Sequence, residues 1–251
     1  MYDFKFGNTW LSSLGAHCTK PDREIAQRSF SLVDIPGRDG SDYLDSGFYK
    51  NVVIKREVAL VSKTNISADE KAEALINSLA YLQGYQTFEE TTREGLTTFA
   101  VLTNFQSVAN SLRTLKKATL EFSRLPFWYS KTGMEAYEVT SGGITLKNPF
   151  PVASKPRFIC NLDPAASTAR LTFSVGDTSY TTNGIQYDAA HTILEIDSEY
   201  EQAFVRNSDG EVLRFIDMDF PHFEPGAEST VTLTLATRVT SVTVEPRWRC
   251  L

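Results

Sequence analysis

Cysteine, histidine and long apolar runs are what this sequence has least of. Its three cysteines, Cys18, Cys160 and Cys250, are an odd and widely spaced set in 251 residues. They offer no disulfide framework and read as reduced thiols. The three histidines, His17, His191 and His222, are scattered. The adjacent pair His17-Cys18 could hold a metal only with distant ligands. No apolar run approaches the ~20 residues that span a bilayer. Met1-Tyr2-Asp3-Phe4-Lys5 has neither the basic nor the apolar region of a signal peptide, so the expectation is a product made in the cytoplasm. Cations are also in deficit: 25 Lys and Arg against 31 Asp and Glu give a net charge of −6. That balance argues against a protein whose main task is gripping nucleic acid, although local basic patches remain possible, as at Arg113, Lys116 and Lys117.

The motifs of catalysis are missing too. There is no glycine-rich phosphate loop ending in Gly-Lys-Ser/Thr and no Gly-x-Ser-x-Gly elbow. The run Asn207-Ser208-Asp209-Gly210-Glu211 has a calcium-loop flavour, but Val205 and Ile216 occupy the outer ligand positions, so a hairpin turn is the better reading. Asp197 and Glu199 could be imagined as a glycosidase pair, yet acids at a turn between strands are common. The expectation is no enzyme, no cofactor and no metal.

What is present is β-rich. Val, Thr, Phe and Tyr are abundant, and they favour the pleated, half-buried surface of a sheet. The central stretch runs from Arg28 to Lys63. Phe30, Leu32 and Ile35 alternate before a tip, and Val52, Ile54, Val58, Leu60 and Val61 make a second β-rich stretch after it. The tip is Asp34-Ile35-Pro36-Gly37-Arg38-Asp39-Gly40, with two turn signals in succession. It reads as a protruding hairpin whose Arg38 is flanked by Asp34 and Asp39. Those carboxylates would hold the guanidinium for a partner acid, or stiffen the loop. The spacing of Ala72, Leu75, Ile76, Leu79 and Leu82 predicts one amphipathic helix, with Ser67 as N-cap, Glu70 completing a capping box and Gly84 as C-cap. The composition shifts over residues 130–156, where Gly142-Gly143, Pro149, Pro151 and Pro156 suggest a passage between two domains, 1–135 and 136–251. Beyond it, short strand patterns separated by turn signals such as Asn183-Gly184 predict a β-sandwich. Tyr180, Tyr187, Tyr200 and Trp248 could there stack on sugar, which keeps a carbohydrate-binding module open as an alternative function.

Several of these pieces, in order, resemble the distal tail protein (Dit) family of long-tailed, non-contractile bacteriophages. They are the Asp34–Gly40 run followed by Tyr43 and Tyr49-Lys50-Asn51; the helix ending Tyr81-Leu82-Gln83-Gly84-Tyr85; Phe122-Ser123-Arg124-Leu125-Pro126; Ile196-Asp197-Ser198-Glu199; Asp219-Phe220-Pro221 with Pro225-Gly226; and Val244-Glu245-Pro246-Arg247-Trp248-Arg249. Arg124 departs from the pattern, which has a small residue there. The resemblance implies a mainly β fold, in which an N-terminal β-sandwich with one helix and a protruding hairpin is followed by a galectin-like β-sandwich. It further implies a structural role at the virion tail tip, as a homohexameric ring between the tail tube protein and a tail-associated hub or lysin protein. DNA would only pass through, nothing would insert in a membrane, and the second domains would carry receptor-binding or baseplate components or stay free. The Asp34–Gly40 loop is then expected at or near an interface.

Overall fold

The computed structural model describes residues 2–251 except Asp22, Lys63, Thr64 and Arg113, and leaves out the side chains of residues 65–66, 106–107, 109–112 and 183. Arg113 of the expected basic patch, and Lys63 at the end of the central stretch, therefore lie outside the described residues. The fold is mainly β, with one α-helix among the described residues. The chain divides into two compact units, Met1–Trp128 with Leu251, and Tyr129–Cys250.

The first unit contains β1 (Phe4–Phe6), β2 (Thr9–Trp10), β3 (Ala16–Cys18), β4 (Arg28–Asp34), β5 (Ser41–Tyr49), β6 (Val52–Val61), α1 (Asn65–Leu79), β7 (Gln86–Glu90), β8 (Leu96–Leu112) and β9 (Leu115–Arg124). Its main sheet runs β2-β1-β7-β8-β9-β6-β3. The sheet is curled. Strands β1 and β9 are not neighbours, yet Phe4 meets Phe122 at 5.8 Å between ring centroids and Phe6 meets it at 5.0 Å. Such curling lets one sheet bury its own apolar face. Every second residue of β6 and β9 points into this core, including Ile54, Val58 and Leu60, and Leu120 and Phe122.

Helix α1 packs on β6 and β9 through Ala68, Ala72, Leu75 and Leu79, which are buried, whereas Ile76 is partly exposed. It begins at Asn65 and ends at Leu79, so neither expected cap holds. Ser67 lies inside the first turn, where its hydroxyl accepts a hydrogen bond from Ser62 Oγ at 2.9 Å, and Gly84 lies in the turn beyond, at φ +70°. Lys116, expected in a basic patch, is buried and paired with Asp69 of the helix.

The second unit contains β10 (Trp128–Ser130, beginning at the unit boundary), β11 (Tyr137–Glu138), β12 (Ile144–Lys147), β13 (Arg157–Leu162), β14 (Thr168–Val175), β15 (Thr178–Gln186), β16 (Ile193–Asp197), β17 (Gln202–Arg206), β18 (Val212–Ile216), β19 (Glu228–Thr237), β20 (Val239–Glu245) and β21 (Arg249–Cys250). Two sheets, β11-β20-β13-β16-β17-β18 and β12-β19-β14-β15, form a β-sandwich. Phe158 of one sheet meets Phe173 of the other at 4.7 Å, within a core that includes Leu171, Leu194, Val231 and Val244. Strands β11 and β12 lie inside the segment read from composition as a passage between domains. Its glycines and prolines lie in the connections between strands of the sandwich.

Ion pairs finish the outer faces of the sandwich. Glu195 is buried, which alone would raise its carboxyl pKa, but bonds from Arg157 and Arg206, each 2.7 Å, hold it below the usual range. The three cysteines are free thiols. Burial pushes the Cys160 thiol up to about 12, and burial likewise raises Cys18 to about 12. At pH 8 a thiol with that pKa is ionised to roughly one part in ten thousand. Cys160 is therefore expected to stay unlabelled by a thiol reagent in the folded protein, and all three cysteines to react once it is denatured without reductant. Rapid labelling of Cys160 in the native state would show that the sandwich core opens.

Candidate functional site: an uncovered apolar hairpin

The hairpin β4–β5 is a two-stranded sheet of its own. Its root is tied to the first unit. Lys50 N–H donates to Gln27 O at 3.0 Å, Tyr49 packs edge-on against Phe127 at 5.4 Å, and Ser29 is buried. Above the root, nothing covers it among the described residues. The register pairs Phe30 with Asp45, Ser31 with Leu44, Leu32 with Tyr43, Val33 with Asp42 and Asp34 with Ser41. Directly paired residues share a face. One face therefore carries Phe30, Leu32 and Tyr43, with Phe30 and Tyr43 in ring contact at 5.1 Å. The other carries Val33 and Leu44. Phe30 is 51% exposed and Leu32 62% exposed, and Val33, Ile35, Tyr43, Leu44 and Phe48 are exposed as well.

Polar contacts hold the ribbon in register. Arg28 Nε donates to Asp45 Oδ1 at 2.8 Å, and its guanidinium lies 5.6 Å from the Tyr49 ring centroid. The Arg28 bond keeps the Asp45 carboxyl below the usual carboxylate range. At the tip, Arg38 N–H donates to Ile35 O at 3.1 Å, with Gly37 at φ +83°. Pro36 and Gly37 are thus the second and third residues of a type II turn, where a glycine is needed. The expected clasp of Arg38 by Asp34 and Asp39 is not formed. Arg38 Nη1 donates to Asp42 Oδ1 at 2.8 Å, and Asp34 accepts from Ser41 Oγ. Strand pairing places Asp42, the second residue of β5, across from Val33 and within reach of Arg38.

The tip was legible in the sequence, but the apolar flanks were not read as part of the site. Their signal is the adjacent pairs Leu32-Val33 and Tyr43-Leu44, which put apolar groups on both faces of a ribbon.

The other candidate sites come apart. Asp197 is buried and takes Arg247 in two bonds, at 2.8 and 2.9 Å. Glu199 takes Tyr129 and Arg249, each at 3.0 Å. Both acids are structural anchors and not the exposed pair expected at a turn. Tyr180, Tyr187 and Trp248 are buried in the sandwich, whereas Tyr200 is 69% exposed. Asn207 Oδ1 accepts from the N–H groups of Asp209 and Glu211, which makes a turn of the would-be calcium loop. No group of three or more metal-ligating side chains occurs among the described residues. No helix among them is long and apolar enough to cross a membrane.

A curled sheet with one helix and a free hairpin, followed by a β-sandwich, is the fold of phage distal tail and baseplate hub proteins. Over 100% of both chains the protein is similar to the Dit protein (gp 19.1) of phage SPP1, a hub of the adsorption apparatus in phages that infect Gram-positive bacteria, with a TM-score of 0.67 and 14% identity. It is also similar to a chain of the phage P2 baseplate in its activated conformation with calcium, at TM-score 0.53 and 8% identity over 97% of each chain. The corresponding structure with strontium gives 0.52 and 8% over the same shares. No protein-family model matches the sequence, and no curated protein sequence matches it significantly.

The Arg38–Asp42 pair is solvent-exposed and is worth roughly 0–1 kcal/mol. Replacing Arg38 by Ala should leave the melting temperature of the monomer nearly unchanged. Leu32→Asp should do the same, because surface changes usually stay within about 0.5 kcal/mol. Loss of monomer stability by Leu32→Asp would mean that the hairpin is covered by its own chain.

Proposed function

We propose that the protein is a structural hub of a bacteriophage tail tip. Its copies assemble into a ring that joins the tail tube to the host-adsorption apparatus and leaves a channel for DNA. The first unit, as a domain, forms the ring, with Asp34, Ile35, Pro36, Gly37, Arg38, Asp39 and Gly40 and the apolar strands beside them at the contact. The neighbours are a second copy of the chain, the tail tube protein and a tail-associated hub or lysin protein. The galectin-like second unit is available to receptor-binding or baseplate components. The protein acts in the virion tail after synthesis in the host cytoplasm, and its role is not enzymatic.

The observation that carries this reading is the uncovered apolar hairpin on a full-length hub fold. A two-stranded ribbon is marginal in water on its own, and exposed apolar patches mark association surfaces. Head-to-tail contacts that close give rings. The acidic balance of the chain suits a conduit that DNA slides through without sticking. The competing reading, a lone carbohydrate-binding module, is weakened by the burial of three of its four candidate aromatics.

Native mass spectrometry across a range of concentrations separates the two. A hub should give a closed species of about six copies. A protein that stays monomeric throughout and binds glycans would be a binding module instead.

A further inference from the structure

The core register of the first unit holds charge at some of its inward-facing positions. Arg56 follows Ile54 on β6, Glu90 follows Phe88 on β7, and Arg124 follows Phe122 on β9. Arg56 is only 2% exposed, and so is Arg124. Arg56 takes both nearby carboxylates: Nη1 donates to Glu24 at 2.7 Å and Nη2 to Glu90 at 2.6 Å. Glu90 also accepts from Tyr2 OH at 2.7 Å. Glu24, Arg56 and Glu90 line a cavity of about 220 Å³, whose wall also contains Arg93, Arg124 and Trp128. At ~30 Å³ per water in the liquid, that is room for several waters or one small hydrated ion.

The remaining cations have no aspartate or glutamate partner among the described residues. Arg124 Nη1 donates to the carbonyls of Leu125 and Pro126, at 2.7 and 3.2 Å. Arg93 Nη1 donates to Leu251 O at 3.4 Å. Both guanidiniums lie on the Trp128 ring, at 4.7 Å for Arg93 and 5.1 Å for Arg124. Burial lowers the Arg124 pKa to about 10, and the charge of Arg93 adds to the effect. The indole N–H of Trp128 is buried without an acceptor. Guanidinium and indole nitrogens only donate. Two like charges on one ring, beside an orphan donor, ask for a group that only accepts and carries negative charge.

We propose that this cavity binds a small oxyanion, a phosphate or a carboxylate, between Arg93, Arg124 and the indole N–H of Trp128. The site is separate from the hairpin and stands whether or not the chain is a tail hub. A capping role for Arg124 accounts for its Nη1, but leaves the second arginine and the indole unexplained.

The test uses the full chain and follows thermal melting and tryptophan fluorescence, with phosphate, sulfate or acetate exchanged for chloride at constant ionic strength. A saturable rise in melting temperature of about 2–4 °C is expected, with a matching fluorescence change that Trp128→Phe removes. Arg93→Ala, at the partly exposed turn, should keep the fold and weaken binding about tenfold or more, as loss of a charged hydrogen bond does. Arg124→Gln should abolish it. Protection by phosphate and sulfate alone assigns a tetrahedral oxyanion, and protection by acetate assigns a carboxylate group. No saturable shift with any of the three, or the same shift in Arg93→Ala as in wild type, would overturn the proposal.

Discussion

A single sheet that curls onto itself can bury one apolar face without a second sheet, and the first unit is built on that constraint. The curl brings Phe4 and Phe6 against Phe122 across intervening strands. It leaves one side for α1 to cover with small residues and leucines. It also gathers the inward-facing Arg56, Glu90 and Arg124 around one cavity. There the core holds charge inside hydrogen bonds, as a buried charge requires.

The same constraint explains what is left out. Strands β6 and β9 spend their inward face on the core, and β4 and β5 pair only with each other. Their apolar residues face water on both sides of the ribbon. Two free edges and two apolar faces are a liability for a monomer and a resource for an assembly, since either strand addition or face packing can use them. The Arg28–Asp45 and Arg38–Asp42 pairs keep the ribbon in register without covering it.

Much of this was legible in the sequence. Alternation gave the strands around Phe30 and Leu32, around Ile54 and Val58, and around Leu120 and Phe122. Pro36-Gly37 gave the turn, and the helical spacing of Ala72, Leu75 and Leu79 gave α1. Three features were not legible, each for a physical reason. The helix starts before Ser67 and stops short of Gly84, because most helical stability comes from packing an amphipathic face and not from cap signals. The partner of Arg38 depends on strand register, which places Asp42 nearer than either flanking aspartate. The buried Asp197 and the half-buried Glu199 look solvent-exposed in a sequence, since the arginines that take them, Arg247 and Arg249, lie about fifty residues on. Arg56 did carry a signal, as a charge at an inward position between Ile54 and Val58, but only the fold shows which carboxylates neutralise it.

The central claim is that the β4–β5 hairpin lacks a cover within its own chain and gains one on assembly. Hydrogen exchange of its backbone amides tests this most directly. In dilute monomer, the amides of Phe30 to Val33 and Tyr43 to Leu44 should exchange far faster than those of Ile54 to Leu60 in the neighbouring sheet. At concentrations where copies associate, they should become protected while the sheet is unchanged. Equal protection of hairpin and sheet in the monomer, or hairpin amides that stay unprotected in the assembled state, would contradict it.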